Sequence, residues 1–214
     1  MKQIIHKIYK LKIGNKVVGW GMTPVETQSF FKRLGKNVVT FIGFSGAEYQ
    51  NKKGMLKISE TVLSEFSPKT SIINIGATKS GIGGVYPIAK SMGFLTTGIV
   101  SSVAIEFLGE ISTAVDHICF VKDTQWGGKL PNSDDLSPTS EAMVACSDIL
   151  IGIGGGEIGR DEMSAGREQG RPVHFYPAEM SHAYLIRRAQ KLDLPSPVSF
   201  WGAAHEIFAD KNDS

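Results

Sequence analysis

From Asn37 onward the chain repeats one pattern: a short apolar run breaks into a glycine- or serine-bearing turn, a helical stretch follows, and another apolar run begins. The runs are Val38–Phe44, Ser71–Ile75, Phe94–Val100, His117–Val121, Ile149–Ile153 and Val173–Tyr176. Between and after them lie helical stretches at 53–66, Val85–Met92, Val103–Ile111, Thr139–Cys146, Arg160–Gln169 and Ala183–Gln190. Runs such as SIINI and DILIGI are solidly apolar, so both of their faces must be covered. Alternating strands and helices of this kind call for a parallel sheet. The expected fold class is therefore α/β: a Rossmann-like, doubly wound, mainly parallel sheet with helices on both faces.

The first 36 residues read differently. Lys7–Ile13 alternates as a strand, Gly14-Asn15 is a turn signal, and Val17–Trp20 is a second short strand, which together predict a β-hairpin. Thr23-Pro24-Val25-Glu26 then starts a helix, with Thr23 as N-cap, Pro24 at N1 and Glu26 closing a capping box, and Gly35 stops it. The expected organisation is an N-terminal hairpin and helix (1–36) appended to the α/β domain (37–210). Residues 122–137 (KDTQWGGKLPNSDDLS) form a polar connection of unusual length, which marks a lid or flexible segment.

Composition removes several classes. Hydrophobic residues make up 42% and charged residues 21%, which excludes a disordered chain. No apolar run reaches the ~18 residues of a membrane span, and the lysine-interrupted N-terminus does not read as a secretory signal. Two cysteines, Cys119 and Cys146, are too few for a disulfide framework, so a cytoplasmic protein is expected. A net charge of +2 without a basic cluster disfavours a nucleic-acid partner. His117 and His174 read as strand residues. His182 and His205 lack partners at metal-ligand spacing and there is no C-x-x-C, so no metal site is expected.

There are 24 glycines, and nine of them fall in the two clusters Gly76–Gly84 and Gly152–Gly159. In doubly wound sheets ligands sit at the carboxyl ends of strands. Glycine there lets the backbone approach a phosphate, and a following helix N-terminus adds partial positive charge. The candidate phosphate-binding residues are Gly43, Ser45 and Gly46 after the first run; Gly76, Thr78, Lys79, Gly81, Gly83 and Gly84 after the second; and Gly154, Gly155, Gly156, Glu157 and Gly159 after the fifth. Neither long loop is a Walker A sequence, and Gly152-x-Gly154-x-x-Glu157 lacks the third glycine of a dinucleotide fingerprint, so NAD oxidoreduction is disfavoured. Glu162, beside the third loop, can act on a ribose as nucleophile or by stabilising oxocarbenium character, with Arg160 near enough to hold an anion. These two are the candidate catalytic residues. Trp126, flanked by Gly127-Gly128, is a candidate for stacking on a base.

The stretches FIGFSG, INIGATKSGIGGVYPIAKSMG, LTTGIV and DILIGIGGGEIGRDE followed by GREQGRPV resemble the SLOG superfamily of Rossmann-like nucleotide-binding proteins. That superfamily includes LOG-type nucleoside 5′-monophosphate phosphoribohydrolases, the DNA-processing protein A family and molybdenum cofactor carriers. The resemblance covers about residues 38–180. It places Gly155 and Gly156 on the paired glycines of the LOG signature and Glu162 on its catalytic glutamate. The spacing from Glu162 to Gly170-Arg171-Pro172-Val173 also looks like nucleoside 2-deoxyribosyltransferases. Gly154 stands in place of the LOG proline, Ile158-Gly159 in place of Gly-Thr, and Thr139 at the position of its catalytic arginine.

The resemblance implies a small-molecule, nucleotide-type phosphorylated ligand and a homo-oligomer. The first functional expectation is binding of such a ligand with hydrolase chemistry at an N-glycosidic bond. Phosphate would sit on Gly154–Gly159, ribose near Glu162, and the base toward Gly43–Gly46 or Trp126. The alternative is a non-catalytic carrier or sensor of a phosphorylated cofactor, and single-stranded DNA binding ranks third.

Overall fold

The computed structural model describes residues 16–209. Seven strands form one sheet: β1 (Val17–Met22), β2 (Asn37–Gly43), β3 (Ser71–Ile75), β4 (Leu95–Ser101), β5 (His117–Val121), β6 (Ile149–Ile153) and β7 (Val173–Tyr176). Their order is β1-β5-β4-β3-β2-β6-β7, and every named pair is parallel. The helices are α1 (Pro24–Leu34), α2 (Lys52–Ser64), α3 (Val85–Ser91), α4 (Pro138–Cys146), α5 (Glu157–Glu168), α6 (His182–Lys191) and α7 (Ala203–Phe208). The doubly wound, parallel α/β architecture expected from the sequence is the one observed. No helix among the described residues is long and apolar enough to cross a membrane.

Period-two alternation explains why the strands need cover on both sides. Val39 and Phe41 of β2 join Ile73, Ile75, Ile118 and Phe120 in a core shared with Met55, Leu63, Val85 and Tyr86 from α2 and α3. Val38, Ile72, Ile99, Cys119 and Val121 point the other way, against Phe31 of α1 and Ala142, Met143 and Cys146 of α4. Ile42 and Leu150 pack with Met163 of α5 and Ala204 and Phe208 of α7.

The N-terminal part departs from expectation. Lys7–Ile13, the first strand of the predicted hairpin, lies outside the described residues. The second strand extends to Met22 and pairs in parallel with β5, and α1 packs against α4. Residues 17–34 thus form the edge and one helix of the main layered unit, because β5 offers a free edge and the apolar face of α1 finds cover on α4. The capping box forms as read: the Glu26 N–H donates to Thr23 Oγ1 at 3.2 Å and the Thr23 N–H to Glu26 Oε2 at 2.8 Å. Gly35 ends the helix at φ 64°. The stretch read as a helix at Val103–Ile111 is a 3₁₀ segment, Ser102–Glu110, kinked at Phe107. The last helix, α7, has no counterpart in the sequence reading.

Strand order sets where a site can open. The chain steps outward from β2 through β3 and β4 to β5, then returns to place β6 on the other side of β2. The β2/β6 boundary is the topological switch point, where loops depart in opposite directions. Two buried tyrosines brace this end of the sheet. Tyr49 Oη accepts from the Phe44 N–H at 3.1 Å and donates to the Ile153 carbonyl at 2.7 Å, joining the ends of β2 and β6. Tyr86 Oη accepts from the Ala77 N–H at 3.1 Å and donates to the Thr97 carbonyl at 2.8 Å, joining the end of β3 to β4. Burial holds both phenols well above their ordinary pKa, so both remain donors.

Candidate functional site

The three glycine loops meet at the carboxyl edge, since β3, β2 and β6 are neighbours. Their glycines are there for different reasons. A Cβ on Gly81 would lie 2.1 Å from the Phe44 carbonyl oxygen, and one on Gly83 2.0 Å from that of Thr78. The Ile82 N–H donates to the Phe44 carbonyl at 2.7 Å. The second loop is therefore packed, backbone against backbone, on the first. Gly84 abuts Leu56, and Gly43 leaves room for the Tyr49 hydroxyl. Thr78 Oγ1 accepts from the Ser80 N–H in a local turn, while Lys79 donates to the Gly109 carbonyl at 2.7 Å and pairs with Glu110 at 3.2 Å. The ammonium expected at a ligand is thus tied to the segment after β4.

In the third loop, Gly154 at φ 58° faces the Phe44 ring and the Ala178 carbonyl, and its N–H donates to Tyr176. Gly155 lies under Ala204, whose N–H donates to the Gly155 carbonyl at 3.1 Å. The third loop is therefore roofed on one side by the start of α7. Gly159 lets α5 approach Ile42 of β2. Three candidate glycines, Gly46, Gly76 and Gly156, face open space, one from each loop. Gly156 is the N-cap of α5 and brings no side chain to the first-turn N–H groups, which leaves that end of the dipole available to an anion. Ser45 and Glu157 are exposed on the same edge.

Glu162 lies one turn into α5, buried at 5% exposure. The Ser140 hydroxyl at the start of α4 donates to Glu162 Oε1 at 2.7 Å, and Ser140 Oγ accepts from the Gly128 N–H, also at 2.7 Å. The long connection after β5 therefore lies across the carboxyl group. Gly127 and Gly128, at φ 136° and 81°, let the chain pass without a side chain: a Cβ on Gly127 would sit 2.9 Å from Ser140 Oγ. Removal from water pushes the Glu162 carboxyl up to about 7; the Ser140 hydrogen bond opposes this, and the neighbouring Asp161 charge adds to it. Arg160 is paired with its chain neighbour. Its Nε and Nη2 both bond Asp161 Oδ1, at 3.0 and 2.9 Å.

A second carboxylate anchors the covering segment. Asp123 accepts from the Gln125 N–H at 2.9 Å and from the Thr139 N–H at 2.9 Å, so it caps α4 while holding the base of the loop. The Ser102 hydroxyl donates to the Asp123 carbonyl at 2.8 Å, joining the loops after β4 and β5. The buried hydroxyls of Ser137 and Thr139 lack a hydrogen bond of good geometry but lie close to the same carboxylate. Burial would raise the Asp123 pKa; the Thr139 and Gln125 N–H groups, with the Thr139 and Ser137 hydroxyls close by, outweigh it and hold the carboxyl below its usual range. Thr139, where the LOG resemblance puts an arginine, thus presents its N–H to an aspartate.

Sequence reasoning found Glu162 and the covering loop separately and missed what links them. Ser140 and Asp123 carried no signal beyond serine at a helix start and aspartate in a polar loop. Surface concavities of about 420 and 310 Å³ open elsewhere, one lined by Lys36, Lys90, Asp116 and His117 and the other by Gln28, Lys32 and Asp148. Both lie toward the amino ends of the strands, away from this cluster. No group of His, Cys, Asp and Glu among the described residues is arranged to hold a metal ion.

The fold and its carboxyl edge define a Rossmann-like α/β protein with a carboxyl group enclosed beside the switch point. No family model matches the chain, and no curated protein matches it. Among solved structures it is similar to a Moco carrier protein from Chlamydomonas reinhardtii, at 20% identity over 66% of this chain and 76% of that one, with a TM-score of 0.47. It is similar to the molybdenum cofactor binding protein from Rippkaea orientalis at 20% identity over 65% and 76%, TM-score 0.48. It is also similar to DNA processing protein A from Streptococcus pneumoniae at 13% identity over 81% and 62%, TM-score 0.46. At these identities the likeness is one of fold alone.

Proposed function

We propose that this protein binds a nucleotide or nucleotide-derived phosphorylated ligand at the carboxyl edge of its sheet. The observation that carries the reading is the uncapped N-terminus of α5 at Gly156, open to solvent at the switch point and one turn from a buried carboxyl group. Backbone N–H groups and the helix dipole suit a phosphate there. Glu162 then lies toward the part of the ligand next to the phosphate. With Arg160 paired to Asp161 and an aspartate at the α4 N-terminus, the edge suits holding a ligand, as a carrier or sensor does.

One feature favours a second reading, cleavage of an N-glycosidic bond. A carboxyl group with a pKa of about 7 is part protonated at neutral pH. Its acid form can protonate a departing base and its ionised form can stabilise positive charge on a ribose. The test is incubation of the protein with AMP and GMP. Free base that disappears in Glu162→Gln establishes the enzyme. Thermal stabilisation by the monophosphates without base release establishes the binder. Absence of both overturns the nucleotide reading, and mass spectrometry of any small molecule that copurifies names the replacement.

A further inference from the structure

The loops after β4 and β5 each carry one large aromatic residue that the core does not use. Phe107 is 48% exposed and Trp126 50% exposed. Their rings meet with centroids 5.5 Å apart, inclined at 52°. Both loops are fixed from below by polar contacts: Ser102 to the Asp123 carbonyl, Asp123 to the Gln125 N–H, and Lys79 to the Gly109 carbonyl. The aromatic pair is thus carried by two loops with a braced base, and each residue is about half exposed.

What lies beside the pair orders the surface. Trp126 is followed by Gly127, whose α-carbon region packs on Ile158 and on the Ser140–Glu162 pair. Ile158 is itself 39% exposed in the first turn of α5. An apolar ledge therefore runs from the α5 N-terminus, over Ile158 and the Gly127-Gly128 strip, to Trp126 and Phe107, with Glu162 beneath its middle. By contrast, the aromatics of the β2 loop are internal: Phe44 is roofed by Gly154 and Gly202, and Tyr49 braces the strands. At the other end of the edge Trp201 is 40% exposed, but its ring stacks on His205 with centroids 4.1 Å apart, so the aromatic pair beside Glu162 is Phe107 and Trp126.

We infer that Trp126, supported by Phe107, forms a stacking subsite for the planar heteroaromatic ring of the ligand. The inference rests on the nucleotide-type reading above and deepens it. Phosphate and ring then occupy opposite ends of the ledge, and the sugar or equivalent linker crosses Glu162. The exposed half of the indole supplies the face, and Phe107 keeps it from rotating away. Stacking of this kind is tolerant of ring identity because every nucleobase presents a π face.

The test compares AMP, GMP and ribose 5-phosphate on the full chain by calorimetry and tryptophan fluorescence. The expected result is that both nucleotides bind about tenfold or more tightly than ribose 5-phosphate, the scale on which ring stacking contributes. Trp126→Leu is expected to abolish that advantage while leaving ribose 5-phosphate affinity unchanged, and Trp126→Phe to retain most of it. Phe107→Leu, at a half-exposed position, is expected to give a smaller loss and keeps the test open should Trp126→Leu fail to fold. Equal binding of all three compounds, or nucleotide binding untouched in the folded variants, overturns the subsite but leaves the phosphate reading standing. Failure of all three to bind overturns that reading, and the subsite with it. A change in sedimentation of Trp126→Leu with nucleotide binding intact also overturns the subsite, because the ledge is then a contact between copies of the chain.

Discussion

The loops at Gly76–Gly84 and Gly152–Gly159 are alike in composition and unlike in purpose. In the first, Gly81 meets the backbone of the loop after β2 at Phe44 and Gly83 meets the backbone of its own loop at Thr78, so neither has room for a side chain. In the second, Gly154 and Gly155 are likewise packed, but Gly156 faces open space and starts a helix that carries a buried carboxyl group. Glycine enrichment after a strand therefore does not by itself mark a ligand loop. What separates the two is the direction in which the missing Cβ would have pointed.

Substitutions can break this contrast, beginning with the largest expected effect. Gly81→Ala puts a methyl group 2.1 Å from a carbonyl oxygen at φ 56°. It is expected to destabilise the fold by about 3 kcal/mol or more, read from denaturant unfolding. Glu162→Gln should do the reverse, in a pH-dependent way. A carboxyl group raised to about 7 in the folded protein favours folding most below its ordinary value of about 4.3, and that contribution declines as pH rises to about 7. The variant is thus expected to gain about 1–3 kcal/mol at pH 8 and little at pH 4, measured as melting curves at both. An equal shift at both pH values would show that Glu162 is not enclosed.

Asp123→Asn removes the charge that caps α4 and fixes the base of the covering loop, with an expected loss of about 1–2 kcal/mol at pH 7. Because its pKa is depressed in the folded state, the wild-type advantage is present above the ordinary carboxylate value and disappears as pH falls through the folded one. Thermal unfolding between pH 7 and pH 3 reads this directly. The smallest effect on stability is expected for Gly156→Ala, under about 1 kcal/mol, since the site is open and its φ of −84° suits any residue. Its consequence belongs to the ligand: AMP affinity is expected to fall about tenfold, or about 1.4 kcal/mol, by calorimetry. If Gly156→Ala is as costly to stability as Gly81→Ala, the distinction between the loops is lost.

Much of the architecture was legible along the chain. The runs at Ser71–Ile75, His117–Val121, Ile149–Ile153 and Val173–Tyr176 are strands within the bounds read from them, because a strand covered on both faces must be apolar throughout. Pairing was less visible: nothing in VVGWGM says that β1 will lie beside β5. The six-residue α7 has no strong local signal and is placed by tertiary contact, Gly202 and Ala204 fitting against Gly155. Glu162 was legible as a carboxylate near a glycine loop. Its enclosure was not, because that depends on Gly127-Gly128 crossing from a loop more than thirty residues away in sequence.

The two tyrosine braces carry a consequence for any ligand. Tyr49 and Tyr86 fix the spread of the strand ends with hydrogen bonds internal to the protein. The floor of the edge is therefore preorganised: it has its final shape before anything arrives, and no binding free energy goes into arranging it. The cover over Glu162, in contrast, is a loop anchored at its base by Asp123 and held over the carboxyl group by the bonds of Gly128 to Ser140 and Ser137. In the proposed site, adaptation to a ligand would therefore fall to this cover, and the Gly128 N–H to Ser140 bond is the contact that would have to part for it to lift.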